Sequence, residues 1–566
     1  MPITEINSDT LIPIDRHFRI AAGPGAGKTH WLINHIKNVL TSSNRLYRTR
    51  KIACITYTNI AVKTILERLE SSSNIVEVST IHSFLYKNIV KHYVSFIADD
   101  YGLNLSAIEG HDDYIISNYK FLKEWKEKTG QQRIKDNQGV IEAFKASRWK
   151  YNENGELVNK PDYPHSVDGY PIKSSAYNEY KKMAWGKGVL HHDDVLYFSN
   201  QLVKEYPFIL EVLRAKFPYF FVDEFQDTNP IQTKLLETIG QEETIVGIIG
   251  DRAQSIYSFQ GAAPEQFDSI NLQNLKNYVI SDNRRSTKLI VNLLNSIRHD
   301  IKQKAININI KNGTKPLLII GGMIEAYRRA KNICKDEPLY SLSRDNLTVN
   351  AMRLVITKNV PHIDLLQNLN VSDSNSNRKK TIITSIKSIE LARQKNFKKS
   401  IKELRRIFKY SEDKEKAKKR ALGFLSYLLL NYNQYYKKSL YEFHIFVKEY
   451  INTISTVTSG EVLNYYKKHT YQELATCVNI IEPMGYHNTI HKSKGAEYEN
   501  VILILKNEQD LSFITNPNLD DEEHRIYYVA ISRAKRGLYI NVPTLSENNK
   551  SIINALFNIE YLSDND

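Results

Sequence analysis

The chain has 566 residues and a formal net charge of +14, a length that fits about three to four domains and a balance that suits a polyanionic partner without specifying a fold. Hydrophobic residues make up 42%, enough for real cores. The only three cysteines, Cys54, Cys334 and Cys477, lie far apart with no C-x-x-C pair, which excludes a zinc ribbon, an iron–sulfur site or a disulfide framework and fits a reducing, cytoplasmic setting.

The N-terminal stretch MPITEINSDTLIPIDRH carries acids early and has no apolar core of signal-peptide length. No run approaches the roughly 18–20 apolar residues of a membrane span, so no membrane partner is expected. Residues 18–22 read as a short buried strand, 23–27 as a glycine-rich turn, and Trp31, Leu32, Ile33, Ile36, Val39 and Leu40 have helical spacing. A second buried strand over 51–56 precedes a helix over 60–70. This alternation predicts an α/β fold with parallel sheets flanked by helices.

Residues 91–190 are aromatic, charged and irregular, and read as an insertion. Strand patterns return at 219–222 and 244–249. A second αβ unit starts near 278, with strands over 316–320 and 339–342. Residues 359–480 are mostly helical, a second insertion, and strands resume at 501–504 and 537–540. Within 378–420 stand 17 Lys and Arg against 5 Asp and Glu. Three readings of this stretch stay open: a track for duplex phosphates, a solvated helical face, or a contact for an acidic protein.

Ala22-Gly23-Pro24-Gly25-Ala26-Gly27-Lys28-Thr29 ends as a phosphate-binding loop does. Glycines turn backbone N–H groups inward, and the helix N-terminus behind them adds partial positive charge. Lys28 is placed for the β and γ phosphates and the Thr29 hydroxyl for Mg²⁺. The general pattern asks for glycine at 22, where this chain has alanine. The other half of such a site is Phe220-Phe221-Val222-Asp223-Glu224-Phe225-Gln226-Asp227, an apolar strand ending in two acids. Asp223 suits the metal and Glu224 the proton of the attacking water.

With these two segments in one chain, further matches follow in order: 55–63, 79–84, 192–196, 250–262, Asn283 to Thr287, Ser343 to Asn346, 489–498 and 522–535. Together they resemble the superfamily 1 helicases related to UvrD and Rep, over residues 20–540. The resemblance implies two RecA-like P-loop domains, each with a mainly helical insertion: 1–90 and 191–277 interrupted by 91–190, then 278–358 and 484–566 interrupted by 359–483. It implies ATP and Mg²⁺ as cofactors, with Gln254, Arg285 and Arg533 at the γ-phosphate and Glu497 on the ribose. Arg285 and Arg533 are expected from the second domain, so that ATP lies between the two. An arginine of that kind contributes about 10³–10⁵ in rate. It also implies that Tyr57, Tyr257 and Phe259 offer faces to bases of a single strand, with His82 and Asn346 touching the strand.

Three departures bear on specificity and coupling. No glutamine stands before Gln131, where the family reads adenine upstream of the loop; Arg284 replaces an aromatic beside the base; and Gln260 replaces an arginine. The chain is short for the family, with a reduced second insertion and no nuclease segment after the last motif. In this it looks like the compact helicase subunits of bacterial anti-phage defence systems such as Gabija, which implies a separate nuclease as partner.

The reading is an ATP-dependent 3′–5′ DNA helicase or translocase on single-stranded DNA and its junctions with duplex, in repair or defence. Two rivals are a translocase that strips proteins without separating strands, and a nucleotide-gated DNA-binding subunit that licenses a partner nuclease.

Overall fold

The computed structural model describes residues 3–562, apart from 48, 71–73, 164, 307–312, 356–364, 409–413 and 479–484. The chain divides into two compact units. The first is Met1–Arg285 with Arg298–Ile308 and Leu519–Arg525; the second is Ser286–Ile297, Asn309–Asn518 and Ile526–Asp566.

The first unit is built on a seven-stranded sheet: β1 (Ile3–Ile6), β2 (Phe18–Ala22), β3 (Ile52–Thr56), β4 (Val76–Thr80), β5 (Tyr219–Val222), β6 (Ile245–Gly250) and β7 (Lys276–Ile280). Their order is β1-β7-β2-β6-β5-β3-β4, parallel throughout. The apolar runs are continuous because both faces are covered. Phe18, Ile20, Cys54, Tyr219 and Phe221 pack on one face with Trp31, Leu32 and Ile36 of the helix Lys28–Ser42. Ala53, Ile55, Phe220, Val222, Val246 and Ile248 face the other side, against Phe84, Leu85 and the helix His192–Glu205. Gly247 lacks a side chain for a steric reason, since a Cβ there would run into the Phe18 ring.

β1 carries no apolar run. It is an exposed edge strand held by main-chain pairing to β7. β7 lies between β1 and β2, so the first unit runs past the expected boundary at 277–278.

The insertion between β4 and β5 has its own core, in which Trp125, Phe144, Tyr177 and Tyr180 pack together. It contains the helices Tyr119–Thr129, Asn137–Ala146 and Ser174–Trp185 and an antiparallel hairpin, Arg148–Tyr151 with Leu157–Lys160. One buried carboxylate joins it to the helix His192–Glu205. Asp194 accepts from Trp149 Nε1 and Trp185 Nε1, both at 2.9 Å, and pairs with Lys181 Nζ at 2.8 Å. The Trp149 ring stacks on Tyr197 at 3.8 Å.

The second unit has six parallel strands: β8 (Leu317–Ile320), β9 (Leu339–Ser343), β10 (His487–Thr489), β11 (Tyr498–Ile504), β12 (Ala534–Val542) and β13 (Asn558–Tyr561), in the order β10-β9-β11-β12-β8-β13. Its insertion is helical, from Leu365–Ser372 to Tyr471–Cys477, around Ile382, Ile386, Phe424, Leu428, Phe443 and Tyr466. The basic stretch 378–420 forms three of these helices, Ser376–Arg393, Phe397–Leu404 and Lys414–Leu430; its residues 409–413 lie outside the described residues. Not all of its charge is surface charge. Arg378 is buried against Asp373, with Nε 2.8 Å from Oδ2, and Tyr466 donates to the same carboxylate at 2.9 Å. Among the described residues, no helix is long and apolar enough to cross a membrane.

Two stability predictions follow from buried titratable groups. Burial pushes the Asp194 carboxyl up, but Lys181 and His191 outweigh it and hold the group well below the usual carboxylate range. Its stabilisation is therefore complete above the unfolded pKa and is lost as pH falls through the folded one. Asp194→Asn leaves Lys181 buried without its counter-charge and lowers stability by about 3 kcal/mol, read from urea unfolding at pH 7. His35 stacks on Trp31 at 4.9 Å between Phe18 and Phe221, and burial drives its imidazole down to about 3. An unfolded histidine takes up its proton near 6.5, so stability falls as pH drops from about 6.5 towards 3. His35→Phe makes that slope shallower in unfolding experiments across the window.

Candidate nucleotide and nucleic-acid site

The phosphate loop is the turn between β2 and the helix Lys28–Ser42. Gly25 and Gly27 take φ of 72° and 82°, which glycine adopts without steric cost. Ala22 is the last residue of β2, paired with Ile280 and fully buried. It sits in extended backbone, so glycine is not needed there and the departure at 22 does not disturb the loop.

The loop is braced from outside by its own unit. Asn283 Nδ2 and Gln303 Nε2 both donate to the Pro24 carbonyl, at 3.1 and 2.8 Å, and Arg284 N donates to Gly25 O at 2.9 Å. A Cβ on Gly25 would meet Asn283 Oδ1 at 2.7 Å and Arg285 Cβ at 2.8 Å. A Cβ on Gly23 would overlap the Gln303 amide. Lys28 Nζ lies over the loop and donates to the carbonyls of Ala22 (3.1 Å) and Gly23 (3.4 Å).

Beyond the end of β5 stands the carboxylate pair. Thr29 Oγ1 donates to Asp223 Oδ2 at 3.4 Å, so the hydroxyl and the carboxylate that the sequence pairs as candidate metal ligands are neighbours. This all-oxygen donor set fits Mg²⁺. Burial raises the Asp223 carboxyl to about 7, the adjacent Glu224 adds to the rise, and Lys28 opposes it. A bound divalent cation would reverse that balance. Glu224 takes a left-handed backbone, φ 53° and ψ 41°, a conformation that non-glycine residues keep at functional sites when the surroundings fix it. Its Oε2 accepts from Gln226 Nε2 at 2.6 Å.

Gln226 is the residue that the sequence does not single out, although it lies inside the acidic motif. It is fully buried, and its Oε1 accepts from Asp251 N at 2.8 Å. Asp251 follows β6, and its carboxylate accepts from Gln254 Nε2. The chain Glu224–Gln226–Asp251–Gln254 therefore links two strand ends. Arg525 extends it: Nε donates to Ser255 O at 2.6 Å, while Ser255 Oγ donates to Gln226 O at 3.0 Å.

Arg284 and Arg285 both belong to the first unit. The resemblance implies Arg285 from the second domain; the boundary between the units falls directly after it, and Arg285 N donates to Asn283 Oδ1 at 2.9 Å. Arg284 pairs with Asp9 at 2.8 Å, and Asp9 also meets His30 at 3.0 Å.

The aromatic residues cluster beside these strand ends. The Tyr57 and Tyr257 rings stack on each other at 4.9 Å and 19°, and Tyr57 Oη donates to Gln260 Oε1. Phe259 is 59% exposed and stands edge-on to Tyr257 at 6.0 Å. The tyrosines thus form one half-buried stack, with Phe259 as the open face. A cavity of about 580 Å³ is lined by Tyr57, His82, His192, Arg148, Lys181 and Phe259, among others. A second of about 760 Å³ shares Arg148 and Phe259 and adds Lys150 and Tyr163 from the hairpin side. His82 lies 5.7 Å from His192, and burial followed by the neighbouring imidazoles of His192 and His111 lowers it to about 4. It is neutral at pH 7.

The second unit holds the remaining candidates. Asn346 is exposed at the start of the helix Asn346–Leu354, just past β9. Glu497 pairs with Lys535 at 3.1 Å. Arg533 is buried; its guanidinium donates to Val529 O at 3.0 Å, Ala496 O at 3.3 Å and Ser532 Oγ at 2.8 Å. Ala496 directly precedes Glu497 in the chain.

A phosphate loop opening a helix off a parallel sheet, with a metal-ready hydroxyl–carboxylate pair and a second carboxylate beside it, defines a P-loop nucleoside triphosphatase. The family model of the UvrD/REP helicase N-terminal domain matches residues 4–273, and that of the UvrD-like helicase C-terminal domain matches 364–544. The chain belongs to the UvrD/Rep family of superfamily 1 helicases and is an enzyme of that family's hydrolase class. It is 26% identical to the ATP-dependent DNA helicase Rep of Buchnera aphidicola subsp. Schizaphis graminum, over 92% of this chain and 90% of that protein. It is 27% identical to the Gabija protein GajB of Bacillus cereus, over 56% of this chain and 50% of that one. With the ATP-dependent DNA helicase PcrA of Bacillus subtilis the identity is 25%, over 55% and 41%.

If the open ring of Phe259 stacks on a base, replacing it with alanine is expected to weaken binding of a fluorescent oligothymidine by about 1–3 kcal/mol. Leu105→Ala, at an exposed position outside both cavities, leaves binding unchanged in the same fluorescence-anisotropy titration.

Proposed function

We propose that the protein is an ATP-dependent motor that translocates 3′ to 5′ on single-stranded DNA and opens duplex at junctions. The observation that carries this reading is the hydrogen-bonded chain Glu224–Gln226–Asp251–Gln254. It ends on the segment that also bears Tyr257 and Phe259, so nucleotide chemistry and base stacking share one stretch of backbone.

In this reading Lys28 contacts the β and γ phosphates, and the Thr29 hydroxyl and Asp223 carboxylate hold Mg²⁺. The loop residues Ala22, Gly23, Pro24, Gly25, Ala26 and Gly27 direct backbone groups at the phosphates. Mg²⁺, when bound, neutralises charge on the phosphate oxygens. Glu224 accepts the proton of the attacking water, with Gln226 fixing the carboxylate's orientation. Gln254, Arg285 and Arg533 stabilise the charge that develops on the transferring phosphoryl group. Glu497 binds the ribose and Arg284 flanks the base. Tyr57, His82, Tyr257, Phe259 and Asn346 contact the strand.

Direction of travel rests on the likeness to the UvrD/Rep family. The likeness to GajB supports a role in anti-phage defence beside a separate nuclease, in the cytoplasm.

ATP hydrolysis by purified protein is expected to rise strongly with single-stranded DNA. Lys28→Ala abolishes it with the fold intact. Glu224→Gln lowers kcat by about 10²–10⁴ while nucleotide binding persists. A low rate that DNA leaves unchanged, together with full biological activity of Glu224→Gln, would overturn the motor in favour of a nucleotide-gated binding subunit.

A further inference from the structure

Arg298 belongs to none of the motif segments, yet its side chain is 1% exposed and its Nη1 lies 2.7 Å from Asp251 Oδ1. The contact is an ion pair with a carboxylate that is itself fully buried. The rest of the guanidinium is fixed from the other side: Nε donates to Asp300 Oδ1 at 2.6 Å and Nη2 to Asp300 Oδ2 at 2.9 Å. That two-point grip sets the plane of the guanidinium, and its contact with Asp251 is an ion pair rather than a directed hydrogen bond.

Asp251 is the branch point of the polar chain. Its carboxylate accepts from Gln254 Nε2 and from Ala253 N, and its main-chain N–H reaches Gln226, which holds Glu224. Arg298 is thus one contact from Asp251, two from Gln254 and three from Glu224. Asp300 is 59% exposed and offers Arg298 a solvated counter-charge, so the guanidinium does not need Asp251 for its own neutralisation. The pair with Asp251 serves the carboxylate. A buried ion pair is weak support for stability as such, which shifts the weight to orientation.

The position in the chain adds to this. The helix Lys288–Ile297 belongs to the second unit, and Arg298 is the first residue after it to rejoin the first unit. We infer that Arg298 is a positioning residue for ATP hydrolysis: it aims Asp251, and through it Gln254 and Glu224, from the point where the chain re-enters the first unit. This rests on the hydrolytic reading of the same site.

The test compares wild type with Arg298→Gln, Arg298→Lys and the double variant Arg298→Gln/Asp251→Asn. The readouts are kcat and KM for ATP with and without single-stranded DNA, thermal melting, and amide hydrogen exchange of residues 251–256. Arg298→Gln is expected to lower kcat about 10- to 100-fold with KM for ATP within about three-fold of wild type. Exchange rises at 251–256 and stays unchanged in the helix Lys28–Ser42. Arg298→Lys recovers part of kcat. A folded Arg298→Gln protein with wild-type kcat and wild-type exchange overturns the inference. So does a double variant that regains wild-type kcat, because removing both charges would then suffice; this arm decides if the single variant fails to fold. A wild type whose hydrolysis ignores DNA sinks the motor reading, and basal kcat and exchange still decide the role of Arg298.

Discussion

Parallel strands end on the same edge of their sheet, and that constraint organises the first unit. Because β2, β6 and β5 are neighbours, the phosphate loop after Ala22, the segment after Gly250 and the acid pair after Val222 emerge side by side. The carboxyl edge of such a sheet is where ligands bind in open α/β folds. Nothing else is needed to bring Thr29 within 3.4 Å of Asp223, although 194 positions separate them in the chain. The next strand on that side, β3, ends at Thr56 and delivers Tyr57 to the same edge.

What the sheet brings together, buried polar contacts hold in register. Gln226 is satisfied on both ends of its amide, by Glu224 and by Asp251 N, in a site where an unmade hydrogen bond would be costly. Asn283 and Gln303 do the same for the phosphate loop by closing on one carbonyl, that of Pro24. These amides are not placed for chemistry of their own. They reduce the freedom of the groups that are, which is how a site gains pre-organisation before substrate arrives. Asp223, raised by burial and by Glu224, shows the opposite condition: a group left unfavourable as an anion by its surroundings.

The insertion of the first unit is fastened through a different carboxylate. Asp194 gathers two indole N–H groups and Lys181 at the start of the helix His192–Glu205. Arg148 and Lys150, on the hairpin that carries Trp149, line the cavities beside Phe259 as a consequence. Packing of the insertion and the composition of the groove are thus one arrangement, and a substitution at the buried end would be felt at the open one.

Much of this was legible in the residues. Apolar runs marked β2, β3, β5, β6, β8, β9, β11 and β12, because strands covered on both faces have no polar positions to blur them. The phosphate loop and acid pair were legible because their chemistry tolerates few residue types. β1 and β13 were not, since exposed edge strands are held by main-chain pairing that leaves no side-chain pattern. The boundary between the units, directly after Arg285, was not legible for a related reason: it depends on β7 slotting between β1 and β2, a long-range pairing. Three readings of the second insertion's basic stretch stayed open, and none of them foresaw that Arg378 turns inward against Asp373, with Tyr466 on the same carboxylate. The sequence by itself determined the class of chemistry, through motifs whose side chains must be those residues. Only the tertiary structure decided which amides and which arginine steady them, because a lone Gln226, Gln303 or Arg298 has no meaning until the sheet sets its neighbours.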